Sequence, residues 1–226
     1  MGTVFMIKLY YLPICKTINE KEYNYVLSKI SEERRERIER YKSDLNKKIS
    51  AYAEFTVRFI ASFFLKARCG ELKFKKGEFG KPYIENDDSF YFNVSHTDCA
   101  VAVAVSDREV GVDIEKIKQA DLNVSNRFFS DAEKKIVNPI PDKSNNRFFE
   151  IWTKKEAYVK CSGKGFSLPF DSFNVLEYKI SERIKSMYID GYVISVCGER
   201  KDDDFEFTEL NESFITENLR DNKNQI

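Results

Sequence analysis

Two carboxylates stand two residues apart at the end of an apolar stretch, "VGVDIE", residues 110–115. The alternation predicts a β-strand in which Asp113 and Glu115 point to the same face. Adjacent carboxylates repel each other unless solvent or a shared cation offsets their charges. The pair therefore predicts either an exposed strand face, balanced by Lys116 and Lys118, or part of a cation site.

A helical stretch, "FFEIWTKKEAYVK", residues 148–160, supplies a third acid. Trp152, Glu156 and Lys160 recur every four residues and so form one stripe of the helix. Lys155 lies about 100° around the axis from Glu156. The single Trp places these charges beside packed structure, although a solvent-facing Glu–Lys pair is the alternative. Three carboxylates from a strand and a helix suit Mg²⁺, whereas the sequence has no His/Cys cluster for zinc.

The only histidine, His96, follows Ser95 at the end of the run "FNVSH". It could be a structural hydrogen-bonding group or a ligand-binding one. Lys81 and Pro82 belong to a turn, "FGKPY", whose backbone can approach a flat ligand closely. Basic side chains between residues 34 and 48 could bind phosphate, or could face solvent beside their neighbouring glutamates.

The elements that must position these residues alternate between strands and helices. The order β, α, α, β, β, β, α, α, β, β predicts an α+β fold of two halves in tandem, each a long helix packed on a small antiparallel sheet. We place the halves at 1–107 and 108–226, the second ending in a flexible acidic tail, with "NPIPDKSNN" as a linker. Ser31 and the pair Ser130 and Glu133 have the spacing of helix N-terminal caps. "FDSFNVLEY" is predicted to be a strand.

Composition narrows the class of protein. The 37 basic and 37 acidic side chains balance, which argues against nucleic acid as the main partner. The apolar N-terminus is short and interrupted by Pro13, so it predicts a first strand and no membrane span. Five scattered cysteines without a C-x-x-C pair favour the reducing cytoplasm. We expect a cytoplasmic monomer.

The order "FGKPY", "FNVSH", "VGVDIEK", "RFFS..E" and "WTKKEAYVKCSGKG", over roughly residues 30–175, resembles the 4′-phosphopantetheinyl transferase superfamily, in its long surfactin-synthetase-activating (Sfp-type) branch. The resemblance implies that family's fold, in which one chain carries two pseudo-symmetric halves. It also implies transfer of the 4′-phosphopantetheine arm of coenzyme A to a serine of an apo acyl or peptidyl carrier protein, with Mg²⁺ or Mn²⁺, releasing adenosine 3′,5′-bisphosphate. Alternatives are a non-catalytic module that binds coenzyme A or carrier protein, and a metal-dependent phosphohydrolase.

The resemblance also implies roles for individual residues. The implied metal ligands are Asp113, Glu115 and Glu156. The implied catalytic residues are Glu156, Glu133 and Lys155. The implied contacts to coenzyme A are Arg34, Arg37, Lys48, Lys81, Pro82, Ser95, His96, Asp113, Lys155 and Lys160. Glu156 is the first choice for the base that accepts the serine proton, directly or through water, and Glu133 the second. Lys160 would hold a pyrophosphate oxygen and Lys155 would steady the charge, while His96 would bind the 3′-phosphate.

Overall fold

The computed structural model describes residues 6–137, 144–201, 203 and 205–221. The strands are β1 Ile7–Pro13, β2 Phe74–Lys76, β3 Pro82–Ile84, β4 Tyr91–Thr97, β5 Ala100–Ser106, β6 Val110–Lys116, β7 Ile184–Ile189, β8 Tyr192–Gly198 and β9 Phe205–Glu209. The helices are α1 Glu20–Leu27, α2 Glu32–Glu39, α3 Asp44–Leu65, α4 Leu122–Phe128, α5 Asp131–Val137, α6 Ser144–Ser162, α7 Tyr178–Ser181 and α8 Glu212–Asp221. Within the described ranges, no helix combines the length and apolar character that a membrane crossing demands.

The strands form two main sheets. The first has the order β4-β5-β1-β9, and the second, which is antiparallel, has the order β6-β8-β7. Helix α3 packs on β4 and β5, while α6 packs on β6 and β8. Each sheet therefore buries one face under a long helix, which confirms the predicted α+β class. A separate hairpin joins β2 to β3.

The C-terminal elements return to the first sheet. Strand β9 pairs in parallel with β1, from Ile7 opposite Phe205 onward. Phe205 and Phe207 pack against the core between the sheets, and Ile215 of α8 is buried with the core under α3. Residues of the predicted flexible acidic tail thus form β9 and α8, because apolar residues alternate with the acids and pack on the first sheet. Flexibility of the tail stays a prediction. The boundary between residues 107 and 108 stays a prediction.

Local hydrogen bonds agree with several expected caps and depart from one predicted strand. The Ser31 hydroxyl accepts from the backbone N–H of Arg34 at 3.2 Å, which caps α2. Ser130 and Glu133 cap α5 reciprocally at 2.7 and 3.4 Å, just after α4 ends. "FDSFNVLEY" forms a 3-10 turn and irregular backbone rather than a strand. Residues 138–143 of the predicted linker lie outside the described residues, and Ser144 already belongs to α6.

Helix α6 meets strand β6 at Gly111. A Cβ atom at Gly111 would lie 2.0 Å from the carbonyl oxygen of Ala157 and 2.4 Å from the amide nitrogen of Cys161. Only glycine allows so close a backbone approach. The contact sets the height of α6 over β6, and it brings Glu156 and Lys160 to the strand that carries Asp113.

Candidate active site

The site lies at the seam where the edge strand β4 of the first sheet faces the edge strand β6 of the second. Side chains connect these strands at a constant offset of 18 residues. The hydroxyl of Ser95 donates to Oδ1 of Asp113 at 2.7 Å. The hydroxyl of Thr97 donates to Oε2 of Glu115 at 3.3 Å. The two carboxylates therefore share one face of β6, as the strand period predicts.

Asp113 has one satisfied oxygen and one unsatisfied oxygen. The side chain is 4% exposed. Its Oδ1 atom accepts from Lys160 at 2.6 Å as well as from Ser95. Its Oδ2 atom is buried and finds no hydrogen-bond partner among the residues that the structure describes. A buried carboxylate oxygen without a partner destabilises the folded protein. The Oδ2 atom is therefore free to bind a cation.

Three acids act on one another across this seam. Burial, followed by repulsion from Asp113, raises the pKa of Glu156 to about 7, while Lys160 opposes the shift. Burial and the Asp113 charge also raise the pKa of Glu115. As placed, no three His, Cys, Asp or Glu side chains of the described chain already form a metal-ligand cluster. A cation shared by these acids therefore requires rotation of at least one side chain.

The stripe of α6 that carries Glu156 and Lys160 is packed at its other end. Trp152 stacks on Phe170 at 5.6 Å between ring centroids and meets the edge of Phe128 at 5.9 Å. This agrees with the expectation that the charges lie beside packed structure. Lys160 donates to Ser95 at 3.0 Å in addition to Asp113, so helix and both strands meet at one ammonium group.

His96 lies next to this cluster, with an exposed imidazole. Desolvation by the protein on its other side lowers the pKa of His96, and the positive charges of Arg34, Lys160 and Arg37 lower it further. The predicted basic residues of α2 therefore share one region with the histidine. Arg34 is held there by Glu54, which accepts from its Nε atom at 3.2 Å. Such a cluster of cations attracts phosphate.

The predicted turn at Lys81 and Pro82 lies on the same seam. Lys81 pairs with Glu109 and donates to the carbonyl oxygen of Val110 at 2.9 Å, at the start of β6. Both turn residues line a cavity of about 270 Å³ whose wall includes Gly163, just beyond α6. The turn therefore contributes the wall of a concave surface.

Lys48 is not brought to the seam. It is 1% exposed. Its ammonium pairs with Glu212 of α8 at 2.7 Å and donates to the carbonyl oxygens of Cys15 and Thr17 at 2.9 and 2.7 Å. The structure thus replaces the predicted coenzyme A contact of Lys48 by an anchor for the C-terminal helix. The spacing of the basic residues between positions 34 and 48 does not distinguish a coenzyme A contact from a structural ion pair.

Glu133 and Lys155 are also placed differently from their predicted catalytic roles. Both side chains are 0% exposed. Lys155 donates to Glu133 at 2.7 and 3.0 Å and to the carbonyl oxygen of Phe173 at 2.8 Å. Glu133 also accepts from the backbone N–H of Val175 at 2.8 Å. This closed network ties α5, α6 and residues 173–175 together, so in this structure neither side chain can contact a substrate.

Sequence reasoning missed residues that support the site. Thr97 follows Ser95 by two positions, so the strand period could have placed it on the same face. Glu54, which holds Arg34, stands on a predicted helix, but nothing local links the two. Glu109, the partner of Lys81, gave no signal either. Gly111 is part of the quoted strand motif, and its lack of a side chain allows α6 to approach β6 closely.

Comparison with known proteins gives consistent matches along the chain. Residues 109–216 match the family described as 4′-phosphopantetheinyl transferase superfamily, and residues 17–108 match 4′-phosphopantetheinyl transferase, N-terminal. The chain is 31% identical over 209 residues to 4′-phosphopantetheinyl transferase ffp of Bacillus subtilis, covering 86% of this chain and 93% of that protein. It is 32% identical over 169 residues to the transferase gsp of Aneurinibacillus migulanus, covering 74% and 70%. It is 29% identical over 209 residues to the transferase Sfp of Bacillus subtilis strain 168, covering 86% and 93%.

Proposed function

The chain belongs to the 4′-phosphopantetheinyl transferase superfamily, and on that premise we propose that it transfers the phosphopantetheine arm of coenzyme A to a carrier protein. The acceptor is a serine of an apo acyl or peptidyl carrier protein. The serine oxygen bonds to the phosphorus that bears the arm, and the bond from this phosphorus to the bridging oxygen breaks. Adenosine 3′,5′-bisphosphate leaves, and the serine proton passes to a base. The proposal includes a monomer that acts in the cytoplasm, which rests on composition and cysteine usage.

A divalent cation, Mg²⁺ or Mn²⁺, is part of this proposal, with Asp113, Glu115 and Glu156 as its ligands. The unpaired Oδ2 atom of Asp113 supports the fit, because a hard cation prefers carboxylate oxygen and would satisfy it. Burial and, after it, repulsion from Asp113 raise the pKa of Glu156, and a shared cation would relieve the repulsion, which supports the site as well. When bound, the cation would offset the negative charge of the pyrophosphate.

The cationic side chains around the acids provide for the rest of coenzyme A. Lys160 already contacts both Ser95 and Asp113, so it can hold a pyrophosphate oxygen beside them. His96 is assigned to the 3′-phosphate, with Arg34 and Arg37 adding positive charge in the same region. The turn at Lys81 and Pro82, with its cavity, is assigned to the adenine.

The proton of the attacking serine is assigned to Glu156. Its carboxylate lies on the stripe of α6 that also carries Lys160, close enough to Asp113 to feel its charge, so it can accept the proton directly or through a water. Glu133 is the weaker alternative, because its two oxygens are already bonded to Lys155, Ser130 and Val175. We assign Lys155 and Glu133 to positioning of α6 rather than to contact with substrate.

The observation that carries the proposal is the convergence of three acids, Lys160 and His96 at the seam between β4, β6 and α6. The test is to incubate the protein with coenzyme A, Mg²⁺ and an apo carrier domain, and to weigh the carrier by mass spectrometry. We expect a gain of one phosphopantetheine group, lost when Mg²⁺ is chelated or when the acceptor serine is replaced by alanine. An unchanged carrier with bound coenzyme A would favour the non-catalytic module, and release of phosphate from coenzyme A without carrier would favour a phosphohydrolase.

A further inference from the structure

Thr97 is placed to control the second acid of the seam. It lies two residues after Ser95 on β4, so both hydroxyls face β6. Ser95 donates to Asp113 at 2.7 Å, and Thr97 donates to Glu115 at 3.3 Å, each across 18 residues of sequence. The contacts are equivalent steps of one ladder, in which each β4 hydroxyl meets one β6 carboxylate.

Glu115 needs such a contact more than Asp113 does. Asp113 has a short side chain, is almost fully buried, and accepts hydrogen bonds from both Ser95 and Lys160. Glu115 has one more rotatable bond and is only partly buried near the end of β6. The negative charge of Asp113 repels it, and the positive charge of Lys118 attracts it more strongly than that of Lys160, which is bonded to Asp113. Without a donor on β4, these forces would draw the Glu115 carboxylate away from Asp113.

Asn93, two residues before Ser95, makes a third hydrogen bond between β4 and β6. The side-chain oxygen of Asn93 accepts from the backbone N–H of Val112 at 2.9 Å, and both residues are buried. Asn93, Ser95 and Thr97 are therefore consecutive residues on one face of β4, each bonded to β6. A donor fixed on such a strand holds its acceptor in a narrow range of positions.

We propose that Thr97 is a positioning residue, which holds Glu115 beside Asp113 and so strengthens binding of a divalent cation by these acids. This inference rests on the proposed function for the existence of the cation. It adds a determinant of metal affinity on β4, a strand to which the proposed function assigns only coenzyme A contacts. Thr97 acts through Glu115, so its loss should weaken metal binding without removing a ligand.

The test compares Thr97→Val, which keeps the shape and strand preference but lacks the hydroxyl, with Thr97→Ser, which keeps the hydroxyl. Each full-length protein is titrated with Mn²⁺ in the presence of coenzyme A and without carrier, and free Mn²⁺ is followed by electron paramagnetic resonance. A coenzyme A sample without protein corrects for binding by the nucleotide. We expect about tenfold weaker Mn²⁺ binding for Thr97→Val, at the low end for loss of a ligand-orienting contact because the bond is long. Thr97→Ser should restore most of the affinity.

A second comparison separates positioning from general damage to the fold. In a Glu115→Gln background, Thr97→Val should weaken Mn²⁺ binding little further, because the partner charge is already gone. Equal affinity of Thr97→Val and the unchanged protein would overturn the inference, as would a Thr97→Ser protein as weak as Thr97→Val. If the unchanged protein itself binds no Mn²⁺, the proposed metal site fails together with the inference. Normal binding and transfer by the unchanged protein, with no effect of Thr97→Val, would refute the inference alone.

Discussion

Replacement of Gly111 by alanine should disturb both the fold and the reaction, because α6 rests directly on this residue. The added Cβ atom would lie 2.0 Å from the carbonyl oxygen of Ala157. Carbon and carbonyl oxygen normally stay at least about 3.3 Å apart, so helix and strand must separate by roughly 1 Å. The atoms in the way belong to backbone, so no side-chain rotation can relieve the clash.

The size of the effect follows from this displacement. Overpacking of a well-packed contact typically lowers stability by about 1–3 kcal/mol, and a clash with backbone belongs at the upper end. For a chain of this size, about 3 kcal/mol corresponds to a melting temperature lower by roughly 6–12 °C. The same shift moves Glu156 and Lys160 relative to Asp113, and misplacement by about 1 Å can slow a reaction about 100-fold.

Gly70→Ala is the matched control, since nothing lies within 4 Å of a Cβ atom added there. Thermal unfolding followed by circular dichroism gives the change in stability. Transfer to a carrier is then measured well below the melting temperature of the weaker variant. We expect both to fall for Gly111→Ala and neither to fall for Gly70→Ala. A Gly111→Ala protein with the stability and transfer rate of the control would refute the close contact of α6 with β6.

Three further predictions concern His96, the buried pair and the pH dependence. His96→Ala should raise the Michaelis constant for coenzyme A more than it lowers turnover, as expected for a lost ground-state contact. If it still discriminates fully against dephospho-coenzyme A, His96 does not contact the 3′-phosphate. Glu133→Gln should lower the free energy of unfolding in urea by about 3–5 kcal/mol, because the Lys155 ammonium is left buried without a counter-charge. A Glu133→Gln protein that is fully stable but inactive would instead support Glu133 as the base. The Mg²⁺ concentration for half-maximal transfer should rise as the pH falls below about 7, because protonated Glu156, whose pKa burial and Asp113 raise to about 7, is a poor ligand. A Mg²⁺ requirement that stays constant across neutral pH would contradict this.

Features that depend on neighbouring residues were predictable from the sequence. The period of two placed Asp113 and Glu115 on one face of β6, where the structure has them. The helical period placed Glu156 and Lys160 on the stripe of Trp152. The spacing of Ser130 and Glu133 predicted a reciprocal cap, which the structure confirms. Each of these depends on backbone geometry over a few residues.

Features that depend on distant partners were not predictable. Glu133 accepts from the N–H of Val175, 42 residues away, and the bond of Lys155 to Phe173 draws the same segment inward. These bonds replace the strand that the β-rich composition of this segment suggested. Lys48 is one of several basic residues in its region, and the local sequence does not show that it pairs with Glu212 of α8. A charged residue with a buried partner far along the chain has no local signature.

The most direct measurement is the Mg²⁺-dependent mass gain of an apo carrier with the Asp113→Asn protein. This change keeps the side-chain shape but removes the charge next to the unpaired Oδ2 position. Asp131→Asn is the control, because its side chain is 94% exposed on α5. Circular dichroism first checks that both variants are folded. We then expect Asp113→Asn to transfer at least about 100-fold more slowly than the unchanged protein, and Asp131→Asn to transfer normally. Near-normal transfer by Asp113→Asn would show that the reaction does not take place at the seam between β4, β6 and α6.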